Sequence, residues 1–489
     1  MSDSTEKPHH LIVFVHGLWG SSSNLARFES VIHHTLDKSD VCNFHTYAPT
    51  CFSHFKTYDG IEAIGDYVLV DLMKHIKLLK DEHEIVISQI SFIGYSLGGL
   101  ICRYIIGELY ESDFFNNIKP GIFSSIATPH LGCTFYNNST RFLNFLGSHF
   151  LGQTGRDLFL VDGKAGMVYR LSNPEEKYYK GLQLFKSKII AANAKFDRTV
   201  GFYSAFITKY DLLHDWNVIE PRFIDGLPSA YLGENGETVE CLVFDFKETK
   251  RLPESKSNTA SEKYMSRFLI LGTIMLFMFP VIFSVSVFAS VKSYFRVKLL
   301  PKPDIKRLWN SVSTTTLLSI HEDLKSCDSD GYDEEENLEQ PQPGISHLTR
   351  KVVENGLNIL EEDNELQKTV TNNTTSEETQ ETYNIDTDFT IVYKSKSFVV
   401  SSLKERIVSD DLSSLELTKG LKPVPFNQIR EEILENLNTI QWTKIAVLQQ
   451  NLNSHQSIVG RRGFNRTPES IPFLFMYSFL FESTIKEVM

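Results

Sequence analysis

The sequence predicts an α/β protein whose mostly parallel sheet carries helices on both faces. Three observations predict it. Short, nearly all-apolar runs recur between residues 10 and 220, stretches of helical spacing separate them, and one run ends in a glycine–serine turn that opens a helix. Strands that are apolar throughout and alternate with helices belong to a parallel sheet covered on both sides.

His10–Val15 reads as the first strand, Cys42–Ala48 as the second and Ile85–Gly94 as the third, followed by Gly121–Ala127 (GIFSSIA) and Lys188–Ala194 (KIIAANA). Tyr58–Leu79 and Leu97–Tyr110 place apolar residues at helical spacing between them. Residues 1–250 therefore read as the core, with the polar and aromatic stretch Thr134–Lys180 (about 134–180) expected to cap a site. Residues 251–310 hold Phe268–Val291, twenty-four residues without a charge, between basic flanks. A run of this length suffices for a bilayer, which takes about 20 apolar helical residues. Residues 311–420 are acidic and rich in Ser, Thr, Asn, Gln and Glu, so they read as a largely disordered insertion with a short helix near Arg350–Leu366. Residues 421–489 return to the core, with FNQIREEILENLNTI as a helix and QWTKIAVLQQ as the last strand.

Composition narrows the function. With 42% hydrophobic residues the chain can bury a large core, and its net charge of −12 excludes a nucleic-acid surface of ordinary kind. Its six cysteines show neither CxxC spacing nor a Cys/His metal pattern, which points to free thiols in a reducing compartment and to no metal site. The opening MSDSTEKPHH lacks the charged and apolar regions of a secretory signal, so a cytosolic start is expected.

The chemistry is concentrated in GYSLGG, Gly94–Gly99, where a strand runs through Gly-x-Ser-x-Gly into a helix. Such a turn exposes its serine above the sheet at a helix N-terminus, where backbone N–H groups favour a developing negative charge. Ser96 is the expected nucleophile. VHGLWG ends the first strand, and the amides of Leu18 and Leu97 are the expected oxyanion donors. His16 precedes the serine and reads as a structural loop histidine. The acid should follow a later strand: Asp197 in KIIAANAKFDRTV does so directly, while Asp211 and Asp215 lie beyond a Phe/Tyr-rich segment. Three histidines compete for the base. His130 comes before the acid, His214 sits beside Asp215, and His455 follows the last strand, where the order Ser, acid, His places it.

HGLWG, FKTYDGIEAIGD, SFIGYSLGGLICRY, SIATPHLG, NAKFDRTV and LNTIQWTKIAVLQQNLNSHQSIVGR, in this order, resemble a serine esterase family of lipase-like α/β-hydrolases, over roughly residues 9 to 300 and 420 to 489. The resemblance implies an α/β-hydrolase fold with Ser96 as nucleophile, Asp197 as acid, His455 as base and no cofactor. It also implies a lipid ester substrate, glycerophospholipid first and monoacylglycerol or another neutral acylglycerol second. Many relatives carry a proline after the valine that follows the acid, and Gly201 stands there in this chain.

Ser96 and Asp197 precede the uncharged run and His455 follows it, so a single crossing would separate groups that must meet within a hydrogen bond. Pro280 at its midpoint, two halves too short to span alone and basic flanks on both sides predict a re-entrant hairpin. Attachment to a lipid droplet or to the cytosolic face of the endoplasmic reticulum is expected. A non-catalytic scaffold on the same surface is the reading from another class; its acidic stretch Ser326–Glu339 would serve as a spacer or bind a partner.

Overall fold

The computed structural model describes residues 7–488 apart from 38, 135, 137–140, 212–215, 217–218, 233–236, 253–282, 314–380, 387–388, 409–411 and 452. Six strands build the central sheet: β1 (His9–Val15), β2 (Asn43–Tyr47), β3 (Ile87–Tyr95), β4 (Lys119–Ile126), β5 (Ser187–Asn193) and a late strand, Thr443–Val447. The late strand lies beside β5, and the order across the sheet is late strand, β5, β4, β3, β1, β2, every pair parallel. Register ties Val447 to Asn193 and Thr443 to Ile189, so the loops after these two strands leave the sheet side by side.

Both faces are covered, as residues apolar on each side of a strand require. One face carries α1 (Ala26–Leu36), the other α2 (Ile61–His83) and α3 (Leu97–Glu111). The C-terminal helix, Ser470–Val488, joins α1; Phe28 meets Phe14 edge-on at 5.6 Å and Tyr477 at 5.2 Å between ring centroids. On the α2 face the helix Ile305–Ser313 buries Ile305, Leu308, Trp309 and Val312, and Trp309 packs on Phe114 at 4.6 Å. Residues 305–310, expected in the basic flank of the membrane segment, thus pack into the main body beside α2.

A second, antiparallel sheet pairs Ser229–Leu232 with Glu237–Glu240 and with Phe389–Tyr393, which in turn pairs with Glu381–Asp386. Part of the stretch read as a loose insertion is therefore ordered. Phe389 and Ile391 are buried, and Lys396–Arg406 forms a helix that buries Val399, Val400 and Leu403. The partner strand lies about 160 residues upstream, which is why the short run FTIVY was overlooked in an acidic context. The edge of the main sheet is covered as well: Phe244 donates to Ala446 and Leu448 to Leu242, closing a row that would otherwise be open to another chain.

The expected cap resolves into two parts. Helices Arg141–Phe150 and Gly152–Leu158 form one, while Met167–Ser172 and Lys177–Gln183 pack against α3, where Tyr178 stacks on Tyr104 at 5.4 Å. Residues 268–282 and Arg350–Leu366 lie outside the described residues. Residues 283–291, the end of the uncharged run, belong to a helix of residues 283–299 that contacts the main body through Ser290 and Arg296. Among the described residues no helix is long and apolar enough to cross a membrane. Five cysteines are free thiols, and Cys327 lies outside the described residues.

Replacing Phe28 by Ala removes the ring that joins α1 to the C-terminal helix and leaves a cavity. The expected cost is about 3–5 kcal/mol, read as a lower urea midpoint with an unchanged m value.

Candidate active site

Ser96 ends β3 and starts α3 in a backbone conformation, φ 56° and ψ −127°, that a residue with a side chain rarely adopts. The turn is tight because strand and helix nearly touch: a Cβ on Gly94 would lie 2.4 Å from Cα of Gly99. The amide of Ser96 donates to the carbonyl of Ile126 at 2.9 Å, which fixes the turn to β4. Leu97 is the first residue of α3, so its N–H has no partner inside the helix.

The two loops that leave the sheet together, after β5 and after the late strand, bring the other groups. Asp197 Oδ1 accepts the amides of Thr199 at 3.0 Å and Val200 at 2.8 Å, which turns Oδ2 toward His455. His455 Nδ1 lies 2.8 Å from that oxygen and Nε2 lies 3.0 Å from Ser96 Oγ. A carboxylate accepts only, so Nδ1 carries the proton and the Nε2 lone pair faces the serine hydroxyl. Ser96, Asp197 and His455 are each 6% exposed. The set is arranged to draw the proton from Ser96 and to stabilise the imidazolium that results.

The structure thus brings Ser96, Asp197 and His455 together and leaves the competitors elsewhere or undescribed. His214 and Asp215 lie outside the described residues. His130 is fully buried between Ser125 Oγ at 2.8 Å and Arg103 Nη1 at 3.2 Å. A guanidinium only donates, so His130 accepts at Nδ1 and donates from Nε2 to Ser125. Burial and the cation hold its pKa well below the ordinary value. His16 stacks on Phe52 at 4.0 Å, with its ring nitrogens at the carbonyls of Gly17 and Phe52. It holds the loop of Leu18 in shape, and burial lowers its pKa to about 4. That loop touches the nucleophile: a Cβ on Gly17 would come 2.6 Å from Ser96 Cβ.

Several supporting residues escape a reading of the sequence. Tyr95, the variable position of the elbow, donates its hydroxyl to the His455 carbonyl at 2.7 Å. Asn193 donates to the Ser454 carbonyl at 3.0 Å and lies 3.4 Å from Asp197 Oδ2, bridging the acid and base loops. Arg461 donates to the Trp19 carbonyl at 3.2 Å, and nothing in its surroundings in the sequence marks it. No group of three or more His, Cys, Asp or Glu with metal-binding geometry occurs among the described residues.

Residues 5–209 match the family described as "Putative serine esterase (DUF676)". Over these residues the chain is similar to a lipase-like serine esterase family. The chain is similar to "Putative lipase ROG1" of Saccharomyces cerevisiae, 30% identical over 228 residues that make up 42% of this chain and 30% of that protein. It is also similar to "Putative lipase YDL109C" of the same yeast, 33% identical over 162 residues, 32% of this chain and 24% of that protein. "Putative lipase C4A8.10" of Schizosaccharomyces pombe is 26% identical over 193 residues, 37% of this chain and 24% of that protein. The chain spans less than a third of the length of each relative. Among solved structures, a cell surface hydrolase from Lactobacillus plantarum WCFS1 covers 41% of this chain and 75% of its own, at 16% identity and a TM-score of 0.24. Phospholipase PlaB from Legionella pneumophila covers 62% of each chain at 13% identity and a TM-score of 0.27.

The buried His16 sets a pH dependence for the stability of the chain. Between about pH 6.5 and the native value of about 4, an unfolded chain binds a proton at this imidazole that the native state refuses. Stability therefore falls as the pH drops through that window, by up to about 1.4 kcal/mol per pH unit from this residue. Urea midpoints at pH 5 and pH 7 should lie closer together in His16→Asn than in the wild type.

Proposed function

We propose that the chain is a lipid-surface serine lipase that hydrolyses acyl esters of glycerophospholipids. The observation that carries this reading is His455, which reaches Ser96 through one nitrogen and Asp197 through the other. His455 takes the proton of Ser96 as Oγ attacks the ester carbonyl, and the amides of Leu18 and Leu97 receive the oxyanion. The leaving alcohol takes the proton back from His455. A water molecule, deprotonated by the same imidazole, then releases the fatty acid and frees the serine. These steps need no metal or organic cofactor.

The lipid surface is argued from chain geometry. Ser96 and His455 flank the uncharged run in sequence yet lie 3.0 Å apart, so any insertion of that run into lipid begins and ends on one side. A monolayer or one leaflet of a bilayer satisfies this, which favours a lipid droplet or the cytosolic face of the endoplasmic reticulum. Phosphate-bearing lipid suits a cap cavity of about 300 Å³ whose wall includes Arg430, together with Phe145, Phe159 and Val161.

Membranes carrying the wild type should release fatty acid from phosphatidylcholine and phosphatidylethanolamine, and Ser96→Ala should abolish it. Removing a triad serine costs on the order of 10⁶-fold in kcat. Release from monoacylglycerol alone would move the substrate to neutral acylglycerols. Equal release by both proteins would leave a scaffold. Gly17→Ala should lower kcat by about 10²-fold, the order seen when an oxyanion donor is displaced, because its Cβ would force the loop off Ser96.

A further inference from the structure

The helix of residues 283–299 has two unlike faces. Toward the hydrolase body it presents small residues: Ala289 is 3% exposed and Ser293 1%, and Ser290 Oγ donates to the Phe150 carbonyl at 3.1 Å. Arg296 anchors this side. Its Nε and Nη2 each lie 2.7 Å from an oxygen of Asp59, a carboxylate shut off from solvent that also accepts the Tyr67 hydroxyl at 3.0 Å. Away from the body, Phe288, Val291, Phe295 and Leu299 are 71%, 49%, 57% and 81% exposed. Steps of three, four and four residues put them on one stripe.

We infer that this stripe lies on a phospholipid surface and that the helix transmits the contact, through Tyr58, to the loop that holds the oxyanion donor Leu18. The inference rests on the proposed lipase reading. Two features select lipid as the occupant. In sequence the stripe begins inside the uncharged run Phe268–Val291, which supplies its Phe288 and Val291. Lys292 and Lys298 stand exposed on this helix, Lys298 over the Tyr294 ring at 5.8 Å, and a chain of net charge −12 thereby keeps cations where anionic headgroups would meet it. Exposed aromatic and aliphatic residues beside lysines are the pattern of a helix lying in a lipid interface.

The link to the site is a short chain of contacts. Ser286, on the helix, lies beside the Tyr58 hydroxyl. That hydroxyl accepts Trp19 Nε1–H at 2.9 Å, and the Trp19 amide donates to Thr57 Oγ1 at 3.1 Å. Trp19 follows Leu18 directly and sits at φ 54°, a conformation that an unsupported tryptophan would abandon. Arg296 grips Asp59, the neighbour of Tyr58, so the helix meets this segment at two successive residues. A groove of about 510 Å³, lined by Gln153, Arg156, Ser293, Tyr294, Val297 and Lys298, leaves the helix room to settle against the body. Tyr58 is thus a positioning residue for the oxyanion loop.

Diether phosphatidylcholine vesicles containing phosphatidylserine offer a lipid surface without an ester to cleave. They are added to the full chain while it hydrolyses monomeric p-nitrophenyl butyrate. The wild type is expected to float with the vesicles and to speed up about tenfold in kcat, a coupling of ordinary size. The triple variant Phe288→Ser, Phe295→Ser, Leu299→Ser should lose both flotation and acceleration. Tyr58→Phe should float and fail to accelerate. A wild type that floats without accelerating, or a Tyr58→Phe that accelerates equally, overturns the coupling. A triple variant that floats like the wild type overturns the surface. So does a wild-type dimer in solution that the triple variant dissolves, because a second copy would then own the stripe. Ser96→Ala that still cleaves p-nitrophenyl butyrate at the wild-type rate sinks the lipase reading itself, a result distinct from all of these.

Discussion

The parallel pairing of Thr443–Val447 with Ser187–Asn193 is the constraint from which the rest of the structure follows. It joins segments separated by some 250 residues of chain and aligns their ends, Val447 against Asn193. Asp197 follows one end by four residues and His455 follows the other by eight. In a parallel sheet the loops after neighbouring strands emerge at the same edge, so the pairing delivers acid and base to the edge where the β3 elbow holds Ser96. Everything between residues 194 and 442 must leave and return without disturbing it. The second sheet obeys this rule by pairing its four strands within the insertion, and residues 242–244, just after its strand Glu237–Glu240, bridge to the late strand, Phe244 to Ala446 and Leu448 to Leu242. Closing so large a loop costs only logarithmically in its length, which is why such an insertion is tolerable.

What could be read in the sequence is what local chemistry dictates. The elbow declares itself because glycine is needed where strand and helix approach within van der Waals distance, as at Gly94. The strands declare themselves because burial on both faces favours apolar residues, with the few polar ones, such as Ser91 and Lys444, hydrogen-bonded. Asp197 and His455 were legible through their positions after strands. Gly201 shows how a departure from the family pattern is absorbed. Its backbone sits at φ −60°, ψ 139°, the φ that proline would impose. A Cβ there would come 2.3 Å from the Tyr203 ring, and Tyr203 packs on Tyr136 and Phe426. The aromatic cluster takes the space that a proline ring would fill.

What could not be read depends on contacts between distant parts of the chain. Nothing near Phe389–Tyr393 says that Ser229–Leu232 is its partner, since strand preference is a matter of neighbours more than of backbone. Arg461 and Asn193 act through carbonyls, and any residue supplies a carbonyl. The uncharged run misled in a more instructive way. Hydropathy sees Phe268–Val291 as one segment ending at Lys292, but residues 283–299 form one helix across that boundary. Its defining feature is a seam of Ala289, Ser293 and Arg296, small residues and one cation at helical spacing.

That seam explains why a buried ion pair is found where burial of apolar surface would serve elsewhere. An Arg–Asp pair out of water gives little net stability, because desolvation offsets most of the attraction, but breaking it by removing one partner costs about 3–5 kcal/mol. Its strength lies in fixing position. Apart from Phe283, which meets Phe150 edge-on at 4.7 Å at the start of the helix, the helix's most exposed large apolar residues point away from the body, and alanine and serine supply little area to bury. Its register then comes from directed contacts: the Arg296 fork on Asp59 and Ser290 on the Phe150 carbonyl. Directed contacts set register where packing alone would let the helix slide. The Arg296 fork falls on Asp59, two residues from the Thr57 that holds the Trp19 amide. The docking of the helix and the shape of the loop beside Ser96 are therefore specified by the same few residues.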